Sequence, residues 1–156
     1  MHTTLETSLG ELTFVAEDGA LVGIFQEQQP NRLSSEEQGE WASQLLFRDE
    51  IEQLEEYLSG ERKEFNLNVK MKGTDFQTSV WRAISTIPYG ERVTYADLAT
   101  SIGKPTAYRA VASAVGLNPL TIVIPCHRVV SRSGAEKYSG GVVNKKILLD
   151  LENNKS

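Results

Sequence analysis

The chain contains one cysteine, Cys126, and the two residues that follow it are His127 and Arg128. A free thiol has a pKa of about 8.5 and is mostly protonated at pH 7, so a nucleophilic cysteine needs a neighbouring base or cation. Adjacent side chains of an extended segment point to opposite sides, so a turn or a bridging water would have to couple His127 to the sulfur. The run favours a nucleophile over the alternative, a buried structural cysteine beside a surface histidine.

The numbers of cysteines and histidines limit the other chemistry that the chain can carry. A single cysteine excludes a disulfide within the chain and a zinc site built from several cysteines. The histidines are His2 and His127, too few for a His/Cys cluster that holds a structural metal. We therefore expect no metal and no cofactor.

The formal net charge of −5 hides an uneven distribution. Residues 1–69 carry fifteen acidic and four basic side chains, a net charge of −11. Residues 70–156 carry six acidic and twelve basic side chains, a net charge of +6. A positive half can follow DNA phosphates even when the whole protein is acidic, although a merely solvated acidic lobe would explain the same numbers.

Composition and length place the chain among folded, non-membrane proteins. Hydrophobic residues make up 40% of the 156 residues, enough for a core in one domain or in two small ones. No apolar run approaches the roughly 18–20 residues that span a bilayer, and the first residues do not resemble a signal peptide. We expect a soluble, cytoplasmic protein that does not bind membranes.

The first half of the chain is predicted to be mainly β, with one helix. Residues 3–7, 12–15 and 21–25 are apolar and β-branched runs separated by glycine-containing turns, which predicts an antiparallel sheet. Ser34 and Glu37 have capping-box spacing, so a helical segment should open there and run to about residue 58, before Gly60. Residues 65–69 alternate as in a strand, and residues 71–73 are the predicted domain boundary.

The second half is predicted to be mainly helical. A capping box at Thr74 opens one helix, and Thr94 caps a short helix to about residue 102. A glycine-containing turn then leads to a helix over about residues 106–115, the pattern of a helix-turn-helix, which some αα-corners without DNA-binding function share. Residues 121–124 are predicted to form a buried strand before Cys126, and a last helix follows residues 138–141.

The run from Ile124 to Val129, Ile-Pro-Cys-His-Arg-Val, resembles the active-site signature of the O6-alkylguanine-DNA alkyltransferases. The resemblance is specific over about residues 74 to 152 and less distinctive in the N-terminal segment around residues 8–12. Further positions that match the family are Phe76-Gln77, Val80-Trp81, Ile87-Pro88-Tyr89-Gly90, Thr94-Tyr95, Leu98-Ala99, Arg109-Ala110-Val111, Asn118-Pro119, Tyr138, Gly140-Gly141, Lys145, Leu148-Leu149 and Glu152.

This resemblance implies an α+β fold with two domains. A small N-terminal α/β domain with an antiparallel sheet, ribonuclease H-like, would occupy residues 1–70. A mostly α-helical, winged helix-turn-helix-like domain that carries the active site would occupy residues 74–156.

The implied function is direct reversal of DNA damage: stoichiometric, irreversible transfer of the alkyl group from O6-alkylguanine to Cys126 after nucleotide flipping. The implied partner is double-stranded alkylated DNA, with single-stranded DNA and O4-alkylthymine left open. The protein would act as a monomer, associated with the nucleoid when bound.

The resemblance also implies the catalytic roles. Cys126 attacks the alkyl carbon, and His127 takes the thiol proton through a water. Glu152 orients His127 and stabilises the imidazolium, as in the generalised triad. Tyr95 would help to rotate the nucleotide and would hydrogen-bond guanine N3, which makes the base a better leaving group.

Other residues would contact DNA or the flipped base. Arg109 would fill the gap that the flipped nucleotide leaves in the stack. Asn118 would tie the helix-turn-helix to the active-site loop, and Gly140 would let the chain approach the base closely. Backbone groups near Cys126, Val129 and Ser139 would read the guanine edge. Two further candidates for contact with substrate or DNA are Tyr138 and Arg128.

Three other functions compete with this one. A non-catalytic alkyltransferase-like protein would share the fold and flag damage, but such proteins have tryptophan in place of the cysteine. A winged-helix transcription factor would explain the helix-turn-helix but not Cys126, His127 and Glu152 together. A cysteine hydrolase would turn over repeatedly, whereas a thioether has no easy hydrolytic route back to the thiol.

Overall fold

A computed structural model describes residues 1–132, 138 and 140–153. The chain begins with an antiparallel sheet of three strands, β1 (His2–Thr7), β2 (Gly10–Glu17) and β3 (Ala20–Gln26), in the order β1-β2-β3. The turn between β2 and β3 needs backbone at positive φ, which Asp18 (51°) and Gly19 (79°) provide. The predicted antiparallel sheet is confirmed, and each strand is longer than expected, β2 by four residues.

The helix predicted to open at Ser34 does not form there. The capping hydrogen bonds are present, from Ser34 N to Glu37 Oε1 (3.0 Å) and from Glu37 N to Ser34 Oγ (3.2 Å), but the segment ends in a turn. Gly39, at φ 78°, interrupts it before any apolar face has accumulated. The helix, α1 (Arg48–Leu58), instead follows a short 3-10 helix at Gln44–Phe47, and it ends before Gly60 as predicted.

The strand predicted for residues 65–69 is also wrong. This segment makes a single parallel bridge to β3, between Val69 and Leu21. The side chain of Gln53 on α1 holds the backbone of Asn66 instead, donating to its oxygen (3.0 Å) and accepting from its nitrogen (2.8 Å). Because the helix binds these groups, they cannot join a sheet ladder.

The second half contains the helices predicted from its capping signals. The helix α2 (Asp75–Ser85) begins at a complete Thr74 capping box, and α3 (Tyr95–Ser101) begins at a complete Thr94 capping box. The next helix, α4 (Tyr108–Gly116), completes the helix-turn-helix with α3. The indole of Trp81 on α2 donates to Ala114 O on α4 (2.9 Å), which ties the two helices together. The last helix is α5 (Val142–Asn153).

Residues 121–124, predicted to form a strand, form a turn. Asn118 accepts from Leu120 N (2.9 Å) and donates to Ile124 O (2.8 Å), so its side chain spans the segment and folds it. Ile122 takes a φ of 78° inside this turn. Cys126–Arg128 then form a 3-10 helix, not the extended chain assumed from the sequence. Beyond it, the two-residue strand β5 (Val129–Val130) pairs in parallel with β4 (Val93–Thr94).

One connected apolar core joins the two halves of the chain. Phe14 and Leu54 from the first half share it with Trp81, Ile84 and Val111 from the second, and all five are buried. Burial of this shared surface fixes the first half against the segment that carries Cys126. Within the described part of the chain, no helix is long and apolar enough to cross a membrane.

Candidate active site

A cavity of about 840 Å³ lies between the helix-turn-helix and the segment that carries Cys126. Cys126 lines it and is only 2% exposed, so the sulfur lies in the wall of the cavity and not on the open surface. Tyr95, the first residue of α3, and Arg109, near the start of α4, line the same cavity, as does Tyr138. Four residues proposed from the sequence therefore surround one space.

The environment of Cys126 keeps the thiol protonated in the resting protein. Burial raises the pKa of Cys126 to about 11, against smaller opposing contributions from a hydrogen bond with the Asn118 side chain and the positive charge of Lys145. Lys145 is itself buried and donates from Nζ to Val129 O (2.8 Å), just beyond the 3-10 helix. A thiol in this state needs a base to remove its proton during attack.

His127 has the tautomer and the protonation state that such a base needs. Its ring is fully buried, and Nε2 lies 2.8 Å from Glu152 Oε2. An ionised carboxylate only accepts hydrogen bonds, so Nε2 must carry the proton and Nδ1 the lone pair. Nδ1 is buried and has no hydrogen-bond partner within the described part of the chain. Burial lowers the pKa of His127, with Glu152 opposing, so the ring is neutral and Nδ1 can accept a proton.

Glu152 is the centre of a buried hydrogen-bonded cluster. Arg128 donates from Nε to Oε1 and from Nη2 to Oε2, both at 2.9 Å, and Gly90 N donates to Oε1 (3.2 Å). Burial alone would raise the pKa of Glu152, but hydrogen bonds from His127 and Arg128 outweigh it and hold the pKa well below its usual range. The carboxylate is therefore charged at every pH at which the protein would work.

The expectation that Arg128 contacts DNA needs correction. Arg128 is 7% exposed, and its remaining guanidinium nitrogen, Nη1, donates to Ile87 O (2.7 Å). Its guanidinium also lies over the ring of Tyr89, 5.6 Å from the centroid. A guanidinium bound on all sides inside the protein is not available to a phosphate, so Arg128 belongs to the Glu152 cluster.

Sequence reasoning missed one member of this cluster, Tyr57 on α1. Its side chain is fully buried, and its hydroxyl donates to Glu152 Oε2 at 2.5 Å. In the sequence Tyr57 belongs to the apolar face of α1, where an aromatic residue is simply predicted to be part of the hydrophobic core. A buried tyrosine usually has a partner for its hydroxyl, but that signal does not identify a partner 95 residues further along the chain.

Tyr138 is also held from the first half of the chain. Gln26, the last residue of β3, donates from Nε2 to the Tyr138 hydroxyl (2.8 Å) and accepts from Asn144 Nδ2 (2.8 Å). Gly140 packs against the same Gln26 side chain so closely that a Cβ there would collide with it. This contact explains why residue 140 is glycine, and a close approach of Gly140 to a base stays a prediction.

The structure describes only some of the groups expected to recognise a base. Val129 is buried, its N–H is bound to Cys126 O, and its oxygen accepts from Lys145. Recognition of guanine by its backbone therefore stays a prediction. Ser139 lies outside the described residues.

Arg109 lines the cavity from α4, and its insertion into DNA stays a prediction. It lies exposed near the start of α4, and its guanidinium is 5.9 Å from the ring centroid of the neighbouring Tyr108, itself 49% exposed. Among the residues that the structure describes, no group of three or more His, Cys, Asp or Glu side chains could hold a metal ion.

Two family models match the chain. Residues 1–71 match the ribonuclease-like domain of 6-O-methylguanine DNA methyltransferase, and residues 75–154 match the DNA-binding domain of the same family. Methylated-DNA–protein-cysteine methyltransferase of Methanosarcina barkeri is 51% identical over 110 residues, which cover 70% of each chain. The constitutive enzyme of that name from Bacillus subtilis is 40% identical over 162 residues, covering 97% of this chain and 91% of the relative.

Solved structures of similar proteins also match this chain over nearly its full length. Mycobacterium tuberculosis OGT in complex with DNA superimposes with a TM-score of 0.89 at 38% identity, covering 99% of this chain and 94% of that one. An O6-methylguanine-DNA methyltransferase from Pyrococcus kodakaraensis superimposes with a TM-score of 0.59 at 23% identity, a likeness of fold alone.

Proposed function

The chain belongs to the 6-O-methylguanine DNA methyltransferase family, and we propose that it repairs O6-alkylguanine in DNA by moving the alkyl group to Cys126. It is a methylated-DNA–protein-cysteine methyltransferase that acts by direct damage reversal. One observation carries the assignment of the nucleophile: Cys126 lines a cavity under the helix-turn-helix, and the adjacent His127 has a buried Nδ1 without a hydrogen-bond partner among the described residues.

The substrate must first leave the DNA stack, because a paired base hides its O6 substituent. The α3–α4 pair docks on DNA, and the alkylated nucleotide rotates into the cavity that Cys126, Tyr95 and Tyr138 line. Arg109, exposed near the start of α4, fills the gap in the stack. Docking of this helix in the minor groove would bring the same face against the duplex.

The chemical step then exchanges one bond for another. The sulfur of Cys126 forms a bond to the alkyl carbon as the bond between that carbon and guanine O6 breaks. The thiol proton passes to His127 Nδ1, through a water where the two do not touch, and Glu152 stabilises the imidazolium. The departing guanine gains negative charge, which a hydrogen bond from Tyr95 to N3 would stabilise in the transition state.

The product explains why the protein is consumed. The sulfur ends as a thioether, which lacks a leaving group that water could displace, and no second cysteine exists to accept the alkyl group. A non-catalytic damage-recognition protein of the same fold is the alternative, and the thiol in the cavity wall argues against it.

We also propose the finer points of organisation. Residues 1–70 and 74–156 are two domains that share one core. The active form is a monomer on double-stranded alkylated DNA, in the cytoplasm and at the nucleoid. Buried Lys145 holds Val129 O beside Cys126, and this contact would fix the backbone groups that read the guanine edge.

The test counts transfers. Protein is mixed with an excess of duplex that carries O6-methylguanine with a labelled methyl group, and label in the protein is followed to completion. We expect at most one methyl group per protein molecule, and none with Cys126→Ser. A count that rises beyond one, or equal labelling of Cys126→Ser, would reject the proposed mechanism.

A further inference from the structure

The Glu152 cluster includes one hydroxyl from outside the DNA-binding half. Tyr57 lies on α1, and its hydroxyl donates to the same carboxylate oxygen, Oε2, that accepts from His127 Nε2 and Arg128 Nη2. The Tyr57 oxygen is also 3.4 Å from His127 Nε2, too long for a good hydrogen bond but close enough to crowd that donor. Three donors therefore share one carboxylate oxygen, and one of them is the proposed base, His127.

The position of Tyr57 is fixed by its packing. Its side chain is fully buried, its ring centroid lies 5.3 Å from that of Phe65, and Tyr89 packs edge-on against it at 6.1 Å. A ring held on both sides keeps its hydroxyl directed at Glu152, and the hydrogen bond does not depend on a mobile side chain. This arrangement differs from a surface tyrosine that happens to reach a carboxylate.

We propose that Tyr57 is a positioning residue that limits how strongly Glu152 stabilises the His127 imidazolium, and thereby helps to set the pH at which Cys126 reacts. The proposal rests on the proposed function of His127 as the base for Cys126. A donor on Oε2 draws negative charge from that oxygen, so less charge remains for the Nε2–H of His127. Without the hydroxyl, Glu152 would bind the imidazolium more strongly, and the thiolate–imidazolium pair would form at lower pH.

Other charged and titratable groups surround Glu152 and His127, but none of them is expected to respond to loss of the Tyr57 hydroxyl. Arg128 faces Glu152 from the 3-10 helix, and Lys145 faces His127 from α5. Both are cations that oppose a positive imidazole, and their positions would not change on loss of one hydroxyl. Among the described residues, Tyr89, Cys126 and Tyr138 are further titratable groups nearby. The hydroxyl that donates to Glu152 is that of Tyr57, not that of Tyr89 or Tyr138.

The experiment measures the pH dependence of Cys126 reactivity toward iodoacetamide. This reagent needs neither DNA nor base flipping, and Cys126 is the single site it can modify as a cysteine. Intact mass gives the rate of modification at each pH for the wild type, Tyr57→Phe and Tyr89→Phe. Tyr89→Phe is the matched control, because it removes a hydroxyl from the adjacent ring without removing a donor to Glu152.

We expect Tyr57→Phe to move the rising limb of the profile to lower pH by about half a unit to one unit, and Tyr89→Phe to leave it in place. A profile for Tyr57→Phe that coincides with the wild type, or one that moves to higher pH, would overturn the proposal. Thermal unfolding of each variant separates this effect from lost stability, since a change in stability alone does not move a pH midpoint. Repair of an O6-methylguanine duplex by the wild type tests the proposed function separately.

Discussion

Cys126 separates two regions that differ in almost every physical property. On one side, α3 and α4 present Tyr95 and the exposed Arg109 to an open cavity. On the other side, His127 and Glu152 are 0% and 1% exposed and belong to a closed hydrogen-bonded cluster. The exposed face is accessible to a large partner, whereas the buried cluster is not.

We therefore expect the exposed face to recognise the duplex and the buried cluster to control the reactivity of the thiol. Residues of the exposed face should matter for a base within a duplex and should matter little for a free base. Residues of the buried cluster should affect the thiol with every electrophile, and they should carry the dependence on pH.

The largest effect should come from the residue at the boundary itself. Cys126→Ser should abolish transfer, because a hydroxyl is a far weaker nucleophile than a thiolate at neutral pH. It should preserve binding to an O6-methylguanine duplex, since the exposed face is unchanged. Gel-shift and transfer assays on one preparation measure both. Loss of binding together with transfer would mean that the two regions are not separable.

On the exposed side, Arg109→Ala should slow repair of a duplex by roughly 100-fold, because flipping without the inserted side chain leaves an unstacked gap worth a few kcal/mol. Transfer from free O6-benzylguanine, where it fits the cavity, should change far less. Single-turnover rates with both substrates provide the comparison. Equal losses of rate with both substrates would mean that Arg109 takes part in the chemical step.

On the buried side, Glu152→Gln should weaken the imidazolium and raise the pH needed for Cys126 to react. The loss is on the order of 1.4 kcal/mol for each unit by which the apparent pKa of the thiol rises. Iodoacetamide modification against pH measures it, and the direction is opposite to that expected for Tyr57→Phe. An unchanged profile would remove Glu152 from the relay.

The stability of the buried cluster should also depend on pH. The pKa of Glu152 is lowered in the folded protein, so its contribution is complete above the ordinary pKa of about 4.3 and is lost as the pH falls further. The pKa of His127 is lowered as well, so protonation in the unfolded state already begins to reduce stability below about pH 6.5. Thermal unfolding from pH 8 to pH 4 should show a falling melting temperature. A melting temperature that rises across this range would contradict the assigned protonation states.

The smallest effects should distinguish the basic and acidic halves in DNA binding. Lys104 is exposed in the turn before α4, and Lys104→Glu should reduce the salt dependence of duplex affinity if it meets a phosphate. The wild-type dependence should reflect on the order of 3–5 phosphates, as for a small module. Neutralising Glu50, Glu52 and Glu55 on α1 together should leave the dependence nearly unchanged. Fluorescence anisotropy at several salt concentrations gives the slopes. If the acidic triple variant changes the slope as much as Lys104→Glu does, the acidic half also contributes to DNA binding.

Local signals predicted local structure well. The capping boxes at Thr74 and Thr94 identified the first residues of α2 and α3, because the hydrogen bonds that start a helix lie within four residues. The same spacing at Ser34 forms its hydrogen bonds without a helix, since no apolar face follows before Gly39. Short motifs therefore indicate where a helix can begin, and packing decides whether it continues.

The buried cluster could be predicted only in part. Cys126, His127 and Glu152 could be named from a family resemblance that includes their spacing. The turn at residues 121–124 depends on the two hydrogen bonds of one side chain, Asn118, which periodicity does not register. The bond from Tyr57 to Glu152 joins positions 95 residues apart, and only the folded chain brings them together.

The thiol of Cys126, between these two regions, should accept the alkyl group and keep it. Intact mass spectrometry after incubation with an O6-methylguanine duplex tests it most directly, followed by peptide mapping. We expect one increment of about 14 Da, one methyl group in place of one hydrogen, located on Cys126. Repaired DNA with unmodified protein, or a methyl group on any other residue, would contradict it.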